Sequence, residues 1–168
     1  MIEASSEPVA TTHRLSEVLL DPASIGRGNA NIEHEREVAI YDLLDENSFE
    51  LEGREDGPYK LTIGIVDDRL ALSVYAASGS QDEPLVTHLL SMTPFKRIMK
   101  DYFLVLDSYY QAIRTAQPSR IQAIDVGRRG LHDEGSRVLI ERLDGKITLD
   151  FDTARRLFTL ISALHWKG

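Results

Sequence analysis

The sequence predicts an α+β fold: an antiparallel β-meander of about four to five strands packed on a long helical hairpin plus a C-terminal helix. Three observations predict it. Short runs of alternating apolar and polar residues fill positions 48–92. Two long helical periodicities follow, 94–116 and 118–143, with almost nothing between them. A dense apolar segment then closes the chain. Strands gathered in one part and helices in another give the α+β pattern, with one sheet face dry against helices.

The elements are justified in order. Residues 1–12 are rich in Ser, Thr, Ala, Glu and Pro and read as a disordered tail, leaving 13–168 as one domain. "HRLSEVLLD" (13–21) reads as a strand ended by Asp21-Pro22, and 23–31 as a loop. In "IEHEREVAIYDLLDE" (32–46), Val38, Ile40, Leu43 and Leu44 are spaced as a helical stripe; Asn31 is placed to cap it, and acids fill its first turn. Residues 48–53 form a short strand. In 59–66, Leu61, Ile63 and Ile65 alternate with polar or small residues. Asp67-Asp68 turns the chain into the strand 69–77, and 85–92 is the next strand.

Thr93-Pro94 is a helix start, a cap followed by proline in the first turn. The helix 94–116 gathers Phe95, Ile98, Met99, Tyr102, Leu106, Tyr109 and Ile113 on one side, which makes it the expected central helix of the core. Pro118 opens a second helix that keeps phase to Asp144-Gly145, completing an antiparallel hairpin. "KITLD" (146–150) is a short strand. Asp152 is the expected cap of the last helix, 153–166, with Phe151 as a staple.

Composition narrows the function. The 168 residues suit one sizeable core, and 42% apolar with 27% charged residues is ordinary for a soluble protein. No apolar run is long enough to cross a bilayer, and the N-terminus lacks the basic start and apolar middle of a signal peptide, so the expected setting is the cytoplasm. With no cysteine there is no disulfide framework, thiolate nucleophile or cysteine-ligated metal. The net charge of −8 opposes binding to nucleic acid or an anionic membrane. It is unevenly spread: residues 1–92 hold 6 Lys/Arg against 18 Asp/Glu, and residues 93–168 hold 13 against 9.

The strings "SIGRGN…IEHERE", "TPFKRIMKDY…YYQAIRTAQPS", "AIDVGRRGLHDEGSRVLIERL" and "DFDTARRLFTLISALHWKG" together resemble an uncharacterised protein family of alphaproteobacteria, UPF0262. The resemblance covers residues 14–168. It implies a small cytoplasmic bacterial protein with no assigned activity, and brings no catalytic residues, metal or cofactor.

The candidate site is "GRRGLHDEG" (127–135). Each helical glycine costs roughly 1 kcal/mol against alanine, so Gly127, Gly130 and Gly135 call for a reason. One is close helix packing. The other is a break near 127–133, with a new helix capped by Asp133 whose free N–H groups, with Arg128, Arg129 and His132, would cradle a phosphate or carboxylate. Arg27, between Gly26 and Gly28, and Arg155 are further anion-binding candidates. "LHDE" (131–134) also has a four-residue likeness to the phospho-acceptor helix of one histidine-kinase class, which would put His132 on an exposed helix face. His34 and Glu37 have metal spacing but no third ligand in sequence. His88 reads as a core or edge residue, and no serine sits in a nucleophile elbow. No catalytic, metal or cofactor residues are assigned. The leading expectation is a non-enzymatic interaction or regulatory protein, with a protein partner or homodimer docking on "LFTLISALHW". A small-anion site for a nucleotide or phosphorylated metabolite, with or without phosphoryl-accepting or hydrolytic chemistry, is the alternative.

Overall fold

A computed structural model of the chain describes residues 12–25, 30–78 and 83–165. The expected tail lies outside the described residues except for Thr12, as do Arg27 and Trp166. The element order is β1 (Leu15–Leu20), α1 (Ala30–Asp45), β2 (Phe49–Leu51), β3 (Tyr59–Val66), β4 (Arg69–Ala76), β5 (Val86–Ser91), α2 (Thr93–Thr115), α3 (Pro118–Leu143), β6 (Ile147–Leu149) and α4 (Phe151–His165). The fold is α+β, and the expected meander is present as β3, β4 and β5, each antiparallel to the next. Asp67 and Asp68, both at positive φ (51° and 62°), make the two-residue turn from β3 to β4, which matches the twist of the strands.

Two parts of the sheet differ from expectation. β1 joins at the other side of β3 and runs parallel to it, giving a mixed sheet of order β1-β3-β4-β5. A helix lies between β1 and β3, and a crossover of that kind is what parallel neighbours require. β2 leaves the main sheet altogether. It pairs antiparallel with β6, Phe49 opposite Leu149, two segments far apart in the sequence.

The sheet buries Tyr59, Leu61, Ile63, Leu70, Leu72 and Val74 on one face. The helix lying across that layer is α4, which packs against β3, α1 and α3. α4 buries Leu157, Phe158, Leu160, Ile161 and Leu164, so it, rather than α2, is the central helix. The apolar face of "LFTLISALH" is therefore spent on the core and is not open to a partner. α2 packs on α3 as the expected hairpin, but its far end leaves Ile113 46% exposed.

Helix starts are also refined. α1 begins at Ala30, so Asn31 is inside its first turn. α2 begins at Thr93 itself, whose N–H donates to Ser91 Oγ at 3.2 Å. α4 begins at Phe151, and its cap is Asp150: Asp150 Oδ1 accepts from the Thr153 N–H at 2.8 Å. On α1 the buried residues are Ile32, Ala39 and Leu43, while Val38 is 44% exposed. α1 packs on α4, and its buried face runs through Ala39 and not through the larger Val38.

α3 is one continuous helix of 26 residues with no break at 127–133. A backbone cradle at Asp133 is thereby excluded. Only one of the three glycines has a packing reason. A Cβ on Gly135 would stand 2.3 Å from the Phe158 ring, whereas at Gly127 and Gly130 it would meet nothing within 4 Å.

Candidate functional site

α1, α3 and α4 enclose a cleft of about 280 Å³. Each helix contributes a polar stripe repeating near three, four and seven residues, the spacing of one helix face. α3 supplies Arg128, Arg129 and His132. α4 supplies Asp152, Arg155, Arg156 and Thr159. α1 supplies Glu35, Val38 and Asp42. Four of the five candidates from the sequence thus meet at one place; the fifth, Arg27, lies outside the described residues.

The half-buried His132 ring sits at the α3–α4 contact. Its centroid is 5.5 Å from both the Tyr102 and the Phe158 rings. Arg155 Nε, which can only donate, points at His132 Nδ1 at 3.4 Å. Nδ1 is therefore the acceptor, and Nε2 carries the proton. His132 Nε2 donates to Thr159 Oγ1 at 2.6 Å, and that hydroxyl donates onward to the Arg155 carbonyl at 3.2 Å. Burial, then the Arg155 and Arg128 charges, pushes the imidazole from 6.5 down to about 4. The ring is neutral, with one tautomer fixed and both nitrogens engaged. The exposed position that the likeness of "LHDE" to a phospho-acceptor helix would require is not the one His132 occupies.

The direction of the His132–Thr159 bond matters for chemistry. A base-activated hydroxyl must give its proton to the imidazole. Here the imidazole gives its proton to the hydroxyl, so the pair is arranged to hold α3 on α4.

The arginines are held from the rim. Asp125, one turn before them on α3, accepts from Arg128 at 2.7 Å and Arg129 at 2.6 Å. Arg128's hydrogen bond keeps the Asp125 carboxyl below its ordinary range. Burial is the largest single influence on Arg128 and opposes its charge, yet the bond to Asp125 together with the charges of Tyr102, Asp125 and Glu35 outweighs it, and the pKa is raised. Arg128 also lies 4.9 Å over the Tyr109 ring. Arg155 is held more loosely, 3.5 Å from Asp133 Oδ1. Arg156 Nη1 donates to the Glu46 carbonyl at 3.2 Å. On the α1 side, Tyr110 Oη donates to Glu35, and burial followed by that carboxylate raises the tyrosine pKa.

Tyr102 lies behind the lining. It is 2% exposed, and its hydroxyl has no hydrogen-bond partner of good geometry, although Arg128 and Thr159 flank it. Burial raises its pKa above the ordinary value. Tyr102 was expected on the core face of its helix, where it lies; Asp125, Glu35, Asp42, Arg156 and Thr159 were not among the residues the sequence singled out. Only the helical spacing marks them, and that spacing marks many solvated faces equally well. Asp152, expected as a cap, is a cleft residue. Among the described residues no group of three or more His, Asp or Glu is arranged to hold a metal, so His34 and Glu37 gain no third ligand there. His88 is partly buried on the edge strand β5, where burial and then Lys146 lower its pKa.

No helix among the described residues is long and apolar enough to cross a membrane. No solved structure matches the chain. Residues 12–167 match UPF0262, described as an uncharacterised protein family. A UPF0262 protein of Rhodopseudomonas palustris is 58% identical over 165 residues, covering 98% of this chain and 99% of the relative. One from Nitrobacter winogradskyi is 62% identical over 156 residues, 93% of this chain and 92% of its own length. One from Methylobacterium radiotolerans is 58% identical, covering 93% of this chain and 95% of its own. With nearly its full length matched and identities far above what chance allows, the chain belongs to the uncharacterised family UPF0262.

Proposed function

We propose that this chain is a cytoplasmic, non-enzymatic binding protein that holds a small anionic metabolite in the cleft between α1, α3 and α4. The observation that carries the reading is the convergence of Arg128, Arg129, Arg155 and Arg156 on one concave site with His132. Arginine forks suit phosphate and carboxylate oxygens. The nucleophile–base geometry needed for covalent catalysis runs the wrong way at His132 and Thr159. Among the described residues the Nη1 and Nη2 groups of Arg155 meet no acceptor, which leaves its fork for a ligand.

The test is thermal denaturation with inorganic phosphate and a panel of phosphate- and carboxylate-bearing metabolites. A ligand at 100 times its Kd adds about 2.7 kcal/mol of stability. The expected result is a rise in Tm for the unaltered chain that disappears in Arg155→Gln and Arg129→Gln. These two are preferable to reversing Arg128, which would set a second carboxylate beside Asp125. If no compound in the panel moves Tm, the reading fails.

A homodimer has a narrower basis, since the last helix is already buried. Tyr41 on α1 is 74% exposed beside a shallow groove lined by Ile40 and Leu44. A dimer docked there predicts a two-chain mass in sedimentation that Tyr41→Ser returns to one chain. A single-chain mass for the unaltered protein ends it.

A further inference from the structure

The charges in the cleft do not neutralise one another. Its lining holds the carboxylates Glu35, Asp42 and Asp152 together with four arginines, yet among the described residues no ion pair joins the two sets. Every arginine there turns to a group outside the lining or to His132. Arg128 and Arg129 take Asp125, Arg155 takes Asp133 and His132, and Arg156 takes a backbone carbonyl. Among the described residues Asp42 and Asp152 have no cationic partner. Asp42, on α1, is on a different helix from the arginines of α3 and α4, and Asp152, one turn before Arg155 and Arg156 on α4, is left out of their ion pairs in a site of about 280 Å³. A free ion of either sign satisfies only one set. A molecule with both charges at opposite ends satisfies both.

Tyr102 is an independent sign that the basic side is incomplete. Its hydroxyl is buried and unpartnered, flanked by Arg128 and Thr159 of the lining. An unmet buried hydroxyl is costly in a folded protein, and its place behind Arg128 marks the arginine side of the lining as the less satisfied one.

Resting on the anion-site reading above, we infer that the ligand is a small zwitterion: an acid group, phosphate or carboxylate, held by Arg128 and Arg155, and a protonated amine held by Asp42 and Asp152. The cleft lies just under the ~300 Å³ at which pockets for drug-sized molecules begin, so the ligand is of simple-metabolite size.

The experiment compares matched probes on the full chain by calorimetry. Ethyl phosphate is set against phosphoethanolamine, and butyrate against 4-aminobutyrate. The member with the amine is expected to bind about tenfold more tightly. That ratio is expected to fall to about twofold or less in the double variant Asp42→Asn/Asp152→Asn, since the amine then has no carboxylate to meet. Neither aspartate caps α4, whose cap is Asp150, and circular dichroism of the variant checks that the helices remain. Whichever pair binds more tightly names the acid group. Amine-bearing and amine-free members binding equally overturns the zwitterion and leaves the anion site standing. A ratio that survives the double variant overturns the assigned ends. Failure of all four probes, together with no response to inorganic phosphate, removes the anion site and this inference with it.

Discussion

His132 Nε2 lies 2.6 Å from Thr159 Oγ1, joining α3 to α4 at the inner wall of the cleft. The bond is one link of a closed circuit, from Arg155 Nε to His132 to Thr159 and back to the Arg155 carbonyl. Thr159→Val leaves the His132 N–H unpaired and is expected to cost about 1–3 kcal/mol in chemical denaturation. Thr159→Ser keeps the hydroxyl and most of the stability. Equal losses in the two variants would show that Thr159 matters for its methyl group and not for the bond.

The same ring gives stability a pH dependence. Its folded pKa, about 4, lies below the ordinary 6.5. Between those values the unfolded chain binds the extra proton, so stability rises with pH across that window. The contribution is whole above pH 6.5 and is lost as pH falls towards 4. Its ceiling is about 3 kcal/mol, the value of a shift of this size. Unfolding titrations of the parent and His132→Gln are expected to differ in slope between pH 4 and 6.5. Parallel curves would mean that the imidazole is not held neutral.

The glycines of α3 give a contrast of sign. A methyl group at Gly135 would run into the Phe158 ring, itself packed against Tyr102 and His132. Gly135→Ala is expected to destabilise by about 1–3 kcal/mol. At Gly127 and Gly130 the space is open, and each change to alanine is expected to stabilise by up to about 1 kcal/mol. Melting curves of the three single variants decide it. A gain at Gly135, or a loss at either of the others, contradicts the packing described.

Asn47 pins β1 to the end of α1. Its Oδ1 accepts from the Leu15 N–H at 2.7 Å, and its Nδ2 donates to the Leu15 and Leu43 carbonyls at 3.0 and 2.8 Å. Asn47→Ala is expected to cost about 2–4 kcal/mol, since buried backbone groups lose their partners together. Asn47→Asp keeps the acceptor and loses both donor bonds, and is expected to be no better. A denaturation midpoint unchanged in Asn47→Asp would show that the amide donors contribute nothing.

Much of the fold is legible in the sequence because its signals are local. Pro94 and Pro118 mark the two long helices to within a residue, and Asp67-Asp68 marks the hairpin. The parallel placement of β1 is not local. It depends on where α1 carries the chain, and the face that α1 buries runs through Ala39, which the sequence does not mark out from Val38 and Ile40 beside it. The pairing of β2 with β6 joins segments with no sequence cue in common. The site divides in the same way. Arg128, Arg129 and His132 stand in one dense string and draw notice. Glu35, Asp42 and Thr159 join them only because α1 and α3 both pack on α4. Asp152 misleads because Asp150 and Asp152 lie on either side of the helix's first residue, and only the Thr153 N–H bond says which one is the cap.

Asp125 sets stability against binding. Its two oxygens hold Arg128 and Arg129, and its pKa is lowered by the Arg128 bond first. Asp125→Asn keeps the shape and removes the charge. Stability is expected to fall by about 1–2 kcal/mol at neutral pH. The share due to exposed Arg129 is small and fades as salt is raised, while that due to the more enclosed Arg128 persists. Freed from their carboxylate, the same two arginines present more positive charge to the cleft. Inorganic phosphate is therefore expected to bind Asp125→Asn several times more tightly than the parent at low salt. Denaturation and phosphate titration on one preparation measure both quantities. A lower melting point with tighter binding means that Asp125 restrains the arginines. If both fall together, Asp125 is instead what aims the guanidinium groups at the ligand, and rigid placement outweighs net charge in this cleft.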